Sequence, residues 1–200
     1  IHQSDITSIL VGDIYEDDFL SAEQTNKAEY LSNIYKIKGI NSCVKLNGSY
    51  AIFIKDSNTN TCFIGTDKNS FIPIYYTNHE GVFYFSWDVS VILNNIPRQV
   101  ELNELNLFSW LLIGGIGFGD DTRFKDIKRL EPGSFISFNE YNINLTKSLP
   151  FSYIPQNVPY TDLLNTAVDT LNKAVCRRVK NKNNITIALS GGIDSRIVLA

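Results

Sequence analysis

Asn184-Ile185-Thr186-Ile187-Ala188-Leu189-Ser190-Gly191-Gly192-Ile193-Asp194-Ser195-Arg196 is the stretch on which the reading of this chain turns. An apolar, β-branched run feeds Ser-Gly-Gly, and Ile197-Val198-Leu199-Ala200 then reads as the opening of a helix. Strand, glycine turn and helix start, in that order, bind phosphate oxygens through backbone N–H groups and the helix dipole. Glycines let the backbone approach oxygen atoms where a Cβ would clash. Ser190 and Ser195 add hydroxyl donors, and a helix beginning near Ile193 or Asp194 adds partial positive charge. An aspartate beside phosphates needs a cation between them, so Asp194 reads as a Mg²⁺ ligand. No Gly-Lys-Ser/Thr follows the glycines, which excludes the Walker loop. A bare Ser-Gly-Gly reads first as a tight strand-to-helix turn with Asp194 as helix cap. The whole string behind a buried strand is more specific, and it points to a nucleotide.

Outward from this loop, Tyr160 to about Lys180 is an amphipathic helix, with Leu163, Leu164, Ala167, Leu171, Ala174, Val175 and Val179 as its apolar stripe. Three prolines between about Thr146 and Pro159 mark a linker. Before it the pattern is mostly β. Ile9 to Tyr15 reads as a short strand, and Val44 to Asp56 as a strand apolar on both faces. Ser57 to Asn60 turns it back into Thr61 to Thr66. Ile72 to Tyr76 and Val82 to Ser86 form a second hairpin joined by Asn78 to Gly81, and Leu130 to Phe138 is a turn entering a strand. Helices are expected from Ser21 to about Lys38, with a Ser21–Gln24 capping box and Gly39 as stop; from Asp88 to Leu93; and from Glu101 to Leu112, with Leu105, Phe108 and Leu112 on one face. Glycines 114, 115, 117 and 119 then loosen the chain. The fold expected is α+β followed by α/β: a domain over 1–148, a linker over 149–159, and over 160–200 the start of a second domain.

Of the 200 residues 44% are hydrophobic and 20% charged, enough for a packed core. A net charge of −3 gives no footprint for nucleic acid or an anionic membrane, and Trp110 to Ile116 is too short to cross a bilayer. No signal peptide is visible, and Cys43, Cys62 and Cys176 show no metal-ligand spacing, so a reduced, cytoplasmic protein is expected. Tyr75, Tyr76, Trp87 and Trp110 read as core packing, and Glu16-Asp17-Asp18 as a solvated turn. Ile1 in place of methionine and the abrupt end suggest a piece of something longer.

These residues carry a resemblance. Leu189 to Ser195 resembles the pyrophosphate loop of the asparagine synthetase family, and Ala174-Val175-Cys176-Arg177-Arg178 its preceding helix. Leu46-Asn47-Gly48-Ser49-Tyr50-Ala51-Ile52 is similar to that family's "LNGMFAF". Gly65-Thr66-Asp67-Lys68 with Pro73-Ile74-Tyr75-Tyr76 is similar to "ARDRFGIKPLYY", Phe85-Ser86-Trp87-Asp88 to "FASE", and Phe124 to Gly133 to "LFKGIKKLPPG". The family includes β-lactam synthetase-like and lasso-peptide cyclase-like relatives.

The resemblance implies an αββα, Ntn-type glutaminase-like domain and then the first part of a pyrophosphate-loop ATP-binding domain. It implies an ATP-dependent ligase that adenylates a small-molecule or peptide carboxylate, with Mg²⁺, and joins it to ammonia or an amine. Leu189, Ser190, Gly191, Gly192, Asp194 and Ser195 would hold ATP, and Asp194 the metal; Arg196 reads as a phosphate contact or a solvent-facing residue. A glutaminase needs an amino-terminal cysteine and an oxyanion hole. No cysteine lies near Ile1, the "SDCE"-like segment has no match near Ser21 to Asn26, and the family's "NGEIYN" falls on Val11 to Glu16, so Val11 replaces the oxyanion asparagine. The domain is therefore expected to be degenerate or truncated, with no catalytic residue named, and the chain alone inactive. Glutamine or ammonia and a homodimer remain expectations. The alternative is a non-catalytic pseudo-glutaminase module that binds a peptide or protein.

Overall fold

The computed structural model describes residues 2–3 (backbone alone), 5–15, 26–97, 99–114, 119–147, 154–155, 157–180 and 182–200. Two compact units divide the chain: Ile1–Ile14 with Glu23–Pro150, and Tyr15–Ala22 with Phe151–Ala200. In the first, β1 (His2–Gln3) and β2 (Ile6–Ile14) precede helices α1 (Lys27–Lys38) and α2 (Ile40–Cys43). Strands β3 (Gly48–Asp56), β4 (Thr61–Thr66), β5 (Tyr75–His79) and β6 (Val82–Ser86) follow. Then come α3 (Val89–Asn95), α4 (Glu104–Ile113), β7 (Lys128–Arg129), β8 (Ser134–Phe138) and β9 (Ile143–Lys147). A six-stranded sheet runs β1-β2-β3-β4-β8-β9 and a three-stranded one β6-β5-β7. All their pairings are antiparallel.

Alternation along β3 builds the layers. Tyr50, Ile52 and Ile54 join Leu31, Cys43, Val44 and Ile14 in a core beneath α1 and α2. The Tyr50 hydroxyl donates to the carbonyls of Cys43 (2.7 Å) and Leu46 (3.2 Å), and Ser8 Oγ donates to Ala28 O at 2.8 Å. Ala51, on the opposite face, packs with Ile64, Ile74, Leu130 and Ile136, flanked by Phe53, Phe83 and Phe138. Here the two sheets meet: Phe53 stacks on Phe85 at 5.7 Å and Phe83 meets Phe138 at 4.7 Å. Outside the smaller sheet, Ile92 and Ile96 close a third core with Ile127, Tyr75 and Tyr84. The order is helix, sheet, sheet, helix.

Local chemistry accounts for the turns. Glu80 (φ 50°) and Gly81 (φ 80°) make the two-residue connection of β5 and β6, the left-handed pair that matches strand twist. Gly12 sits at φ +99°, and a Cβ there would lie 2.1 Å from Ser49 O, so no other residue fits where β2 pairs with β3. Asp67 is fully buried, and its carboxylate accepts from the N–H groups of Tyr50 (3.0 Å), Asn69 (2.8 Å) and Phe71 (3.2 Å), tying the loop after β4 to β3.

Several boundaries differ from expectation. The second hairpin uses Tyr75–His79, not Ile72 to Tyr76, because the turn falls at Glu80-Gly81. Helix α1 starts at Lys27, capped by the Asn26 side chain accepting from Ala28 and Glu29 N–H; Ser21 and Gln24 lie outside the described residues. Helix α4 turns its shared apolar face outward. Leu105, Phe108 and Leu112 are exposed, whereas Asn106 and Ser109 are buried.

The second unit holds α5 (Tyr160–Val179) and α6 (Ile193–Leu199). None of the apolar stripe of α5 is buried. Residues 184–190, read as a strand, belong to no strand. A strand exists through its ladder, and among the described residues nothing pairs with this segment.

Candidate functional site

The Ser190–Ser195 turn keeps its expected turn-to-helix form without the expected strand. Gly191 and Gly192 form a bend and Gly192 is the N-cap of α6, with φ −77° and ψ 163°. Asp194 is not the cap: it sits in the first turn of α6, exposed. Ser195 Oγ donates to Ser190 O (3.1 Å) and lies 3.4 Å from Ser190 Oγ, which draws both hydroxyls to one side. Arg196 Nε donates to Gly192 O at 3.3 Å, so this exposed arginine braces the turn. The glycines are the informative part. Neither has a positive φ. A Cβ on Gly191 would meet nothing within 4 Å, and one on Gly192 only Ser190 Oγ at 3.4 Å. The local backbone thus requires no glycine at either position. Leu189 is exposed beside them.

A second candidate lies in the first unit beside Val11. Register pairs Ile9 with Phe53 and Val11 with Ala51, which puts Ile9 and Val11 on the sheet face turned toward β5 and β6. The smaller sheet ends at β6, whose one neighbour among the described residues is β5. The result is an apolar cavity of about 490 Å³, with Ile9, Val11, Phe53, Phe85, Trp87 and Val91 in its lining. Its polar margin is Ser86 and Asp88. Asp88 caps α3 through Ser90 N–H (2.9 Å) and also accepts from the Ser90 hydroxyl, and these bonds hold its carboxyl below the ordinary range. Trp87 is exposed, as is Trp110, contrary to core packing; Tyr75 and Tyr76 are half-buried. The block Phe85 to Asp88 was legible as a motif. Its place beside Val11 was not, because that depends on how two sheets stack.

No thiol serves this cavity. Cys43 lies in the helix-side core, with its thiol pushed up to about 12 by burial. Cys62 is half-buried on β4 and raised for the same reason, partly offset by Lys55. Cys176 is exposed on α5 rather than packed. All three are free. Among the described residues no His, Cys, Asp and Glu cluster could hold a metal, and no helix is long and apolar enough to cross a membrane. Glu16, Asp17 and Asp18 lie outside the described residues.

Two stacked antiparallel sheets flanked by helices, with an apolar cavity edged by Ser86 and Asp88, define an α+β domain with a cleft. The family model of the glutamine amidotransferase domain matches residues 13–149, and the chain belongs to that family. It is 25% identical over 215 residues to asparagine synthetase (glutamine-hydrolyzing) 2 of Bacillus subtilis (strain 168), covering 96% of this chain and 28% of that protein. A Methanocaldococcus jannaschii protein, provisionally named asparagine synthetase (glutamine-hydrolyzing) 1, is 24% identical over 165 residues, with 77% and 27% covered. The chain thus spans little more than a quarter of these relatives. Among solved structures, glutamine phosphoribosylpyrophosphate amidotransferase from B. subtilis, complexed with ADP and GMP, aligns with a TM-score of 0.48. That match has 13% identity over 74% of this chain and 30% of that one.

Proposed function

We propose that this chain is part of an asparagine synthetase-like, ATP-dependent amide ligase: a Ntn-type amidotransferase domain followed by the start of the adenylating domain. The observation that carries the proposal is the pair Gly191-Gly192, glycines that the local backbone does not require. An incoming anion needs them, since its oxygens must reach backbone N–H groups. Open space at Gly191, two hydroxyls and an exposed carboxylate suit a magnesium pyrophosphate, because Mg²⁺ is commonly held by one or two carboxylates plus phosphates. Ser190, Gly191, Gly192 and Ser195 would hold the pyrophosphate, Asp194 the Mg²⁺, and the Leu189 backbone would lie near adenine. Mg–ATP, when bound, would supply the adenylyl group, with pyrophosphate as the leaving group; the chain's own part is positioning and charge neutralisation. Carboxylate-dependent ATP–pyrophosphate exchange, measured on the polypeptide as it occurs in the cell, tests this. Asp194→Ala should lower exchange by about 10² or more, on the scale of lost electrostatic stabilisation. Unchanged exchange would refute the magnesium role.

A second reading concerns the first unit alone. Val11 offers no side-chain donor to an oxyanion, and the cavity beside it is apolar. That favours a domain kept for binding a peptide or protein over one that hydrolyses glutamine. Ammonia release from glutamine that disappears on alkylation of the protein's thiols would decide for hydrolysis.

A further inference from the structure

The buried polar side of α4 lines a cavity of its own. It measures about 210 Å³, and Asn106, Arg123, Arg129, Thr122 and Trp110 are in its lining. Asn106 is only 5% exposed, yet its Nδ2 has no hydrogen-bond partner. A buried amide N–H without an acceptor is costly, and native folds rarely retain one without a use. The two arginines are equally unspent. The Arg123 guanidinium lies 5.0 Å from the centroid of the Trp110 ring, and Arg129 reaches only the Ser70 carbonyl, at 3.4 Å. Among the described residues neither forms an ion pair. The one carboxylate in the lining, Asp121, is paired with Lys128 at 2.5 Å, a lysine it shares with Asp120 at 3.3 Å. What remains is a donor-rich space in which two guanidiniums face one carboxylate that already has a lysine partner.

We propose that this cavity binds a small molecule bearing an oxyanion, either a carboxylate or a phosphate. Arg123 and Arg129 hold the anionic group, and Asn106 Nδ2 donates to it. Guanidinium forks match the two oxygens of either group, and the amide gains the acceptor it lacks. The cavity shares no residue with the Ser190–Ser195 turn or with the cavity beside Val11.

These 200 residues hold two tryptophans, so in this 200-residue chain Trp87→Phe leaves Trp110 to report on Arg123 over its ring. Inorganic phosphate and succinate are titrated separately, with ionic strength held constant by NaCl. A saturable change in Trp110 emission with phosphate assigns a phosphate ligand, with succinate a carboxylate, and with both a general oxyanion site. In the same background Arg129→Ala and Asn106→Leu should each weaken that response at least tenfold, and Arg129→Lys should recover part of it. Asn106→Leu should melt at or above the parent, since it removes an unpaired buried amide. Absence of any saturable response, or folded variants that titrate like the parent, would overturn the proposal. A lower melting temperature for Asn106→Leu would make the amide structural and end its role as donor.

Discussion

Tyr35 and Asp56 show how one contact ties α1 to the sheet and to pH. The Tyr35 hydroxyl donates to Asp56 Oδ2 at 2.9 Å. Burial pushes the Asp56 carboxyl up, but bonds from Tyr35, Asn58 and Thr59 outweigh it and the net shift is downward. A carboxyl lowered in the folded state stabilises above its unfolded value, about 3.9, and loses that contribution as pH falls through the folded value. Tyr35→Phe should therefore cost about 1.5–3 kcal/mol at pH 7, the range for a hydrogen bond to a charged group. The cost should shrink by pH 2.5 in paired urea denaturation curves. An equal cost at both pH values would contradict it. Asp67 is a larger case. Asp67→Ala strands three backbone N–H groups, one of them buried with Tyr50, so a loss of about 3 kcal/mol or more is expected. A change under 1 kcal/mol would mean that water reaches the loop.

At the level of elements, α4 carries the clearest prediction. Phe108 is 60% exposed and Leu112 is 84% exposed. Phe108→Glu and Leu112→Lys should shift the melting temperature little while lowering light scattering at high concentration. A core role would instead unfold the chain. The same helix shows where sequence reading stops. Spacing of Leu105, Phe108 and Leu112 gives the existence of a helix, but which face packs depends on residues distant in sequence, here those around Thr122 and Arg129. Strands β3 and β4 were legible because alternation and the turn at Ser57 to Asn60 are local. Residues 184–190 carry a strand's composition but lack its partner, so propensity alone did not make one. The Ser190–Ser195 string was legible for the opposite reason: its turn and helix start are set within a few residues.

For the molecule as a whole, the cysteines separate the two units. Cys176 is exposed on α5, whereas Cys43 is 0% exposed in the helix-side core. A thiol reagent should modify Cys176 at once, Cys62 more slowly, and Cys43 only on the timescale of global unfolding of the first unit. Mass spectrometry of labelled peptides resolves the order, and early modification of Cys43 would mean that α1 and α2 open independently. The apolar cavity beside Val11 reaches further still. A dye such as ANS should lodge there and fluoresce while near-ultraviolet circular dichroism stays sharp and thermal melting stays cooperative. By dye alone, this well-ordered protein would pass for a half-melted one.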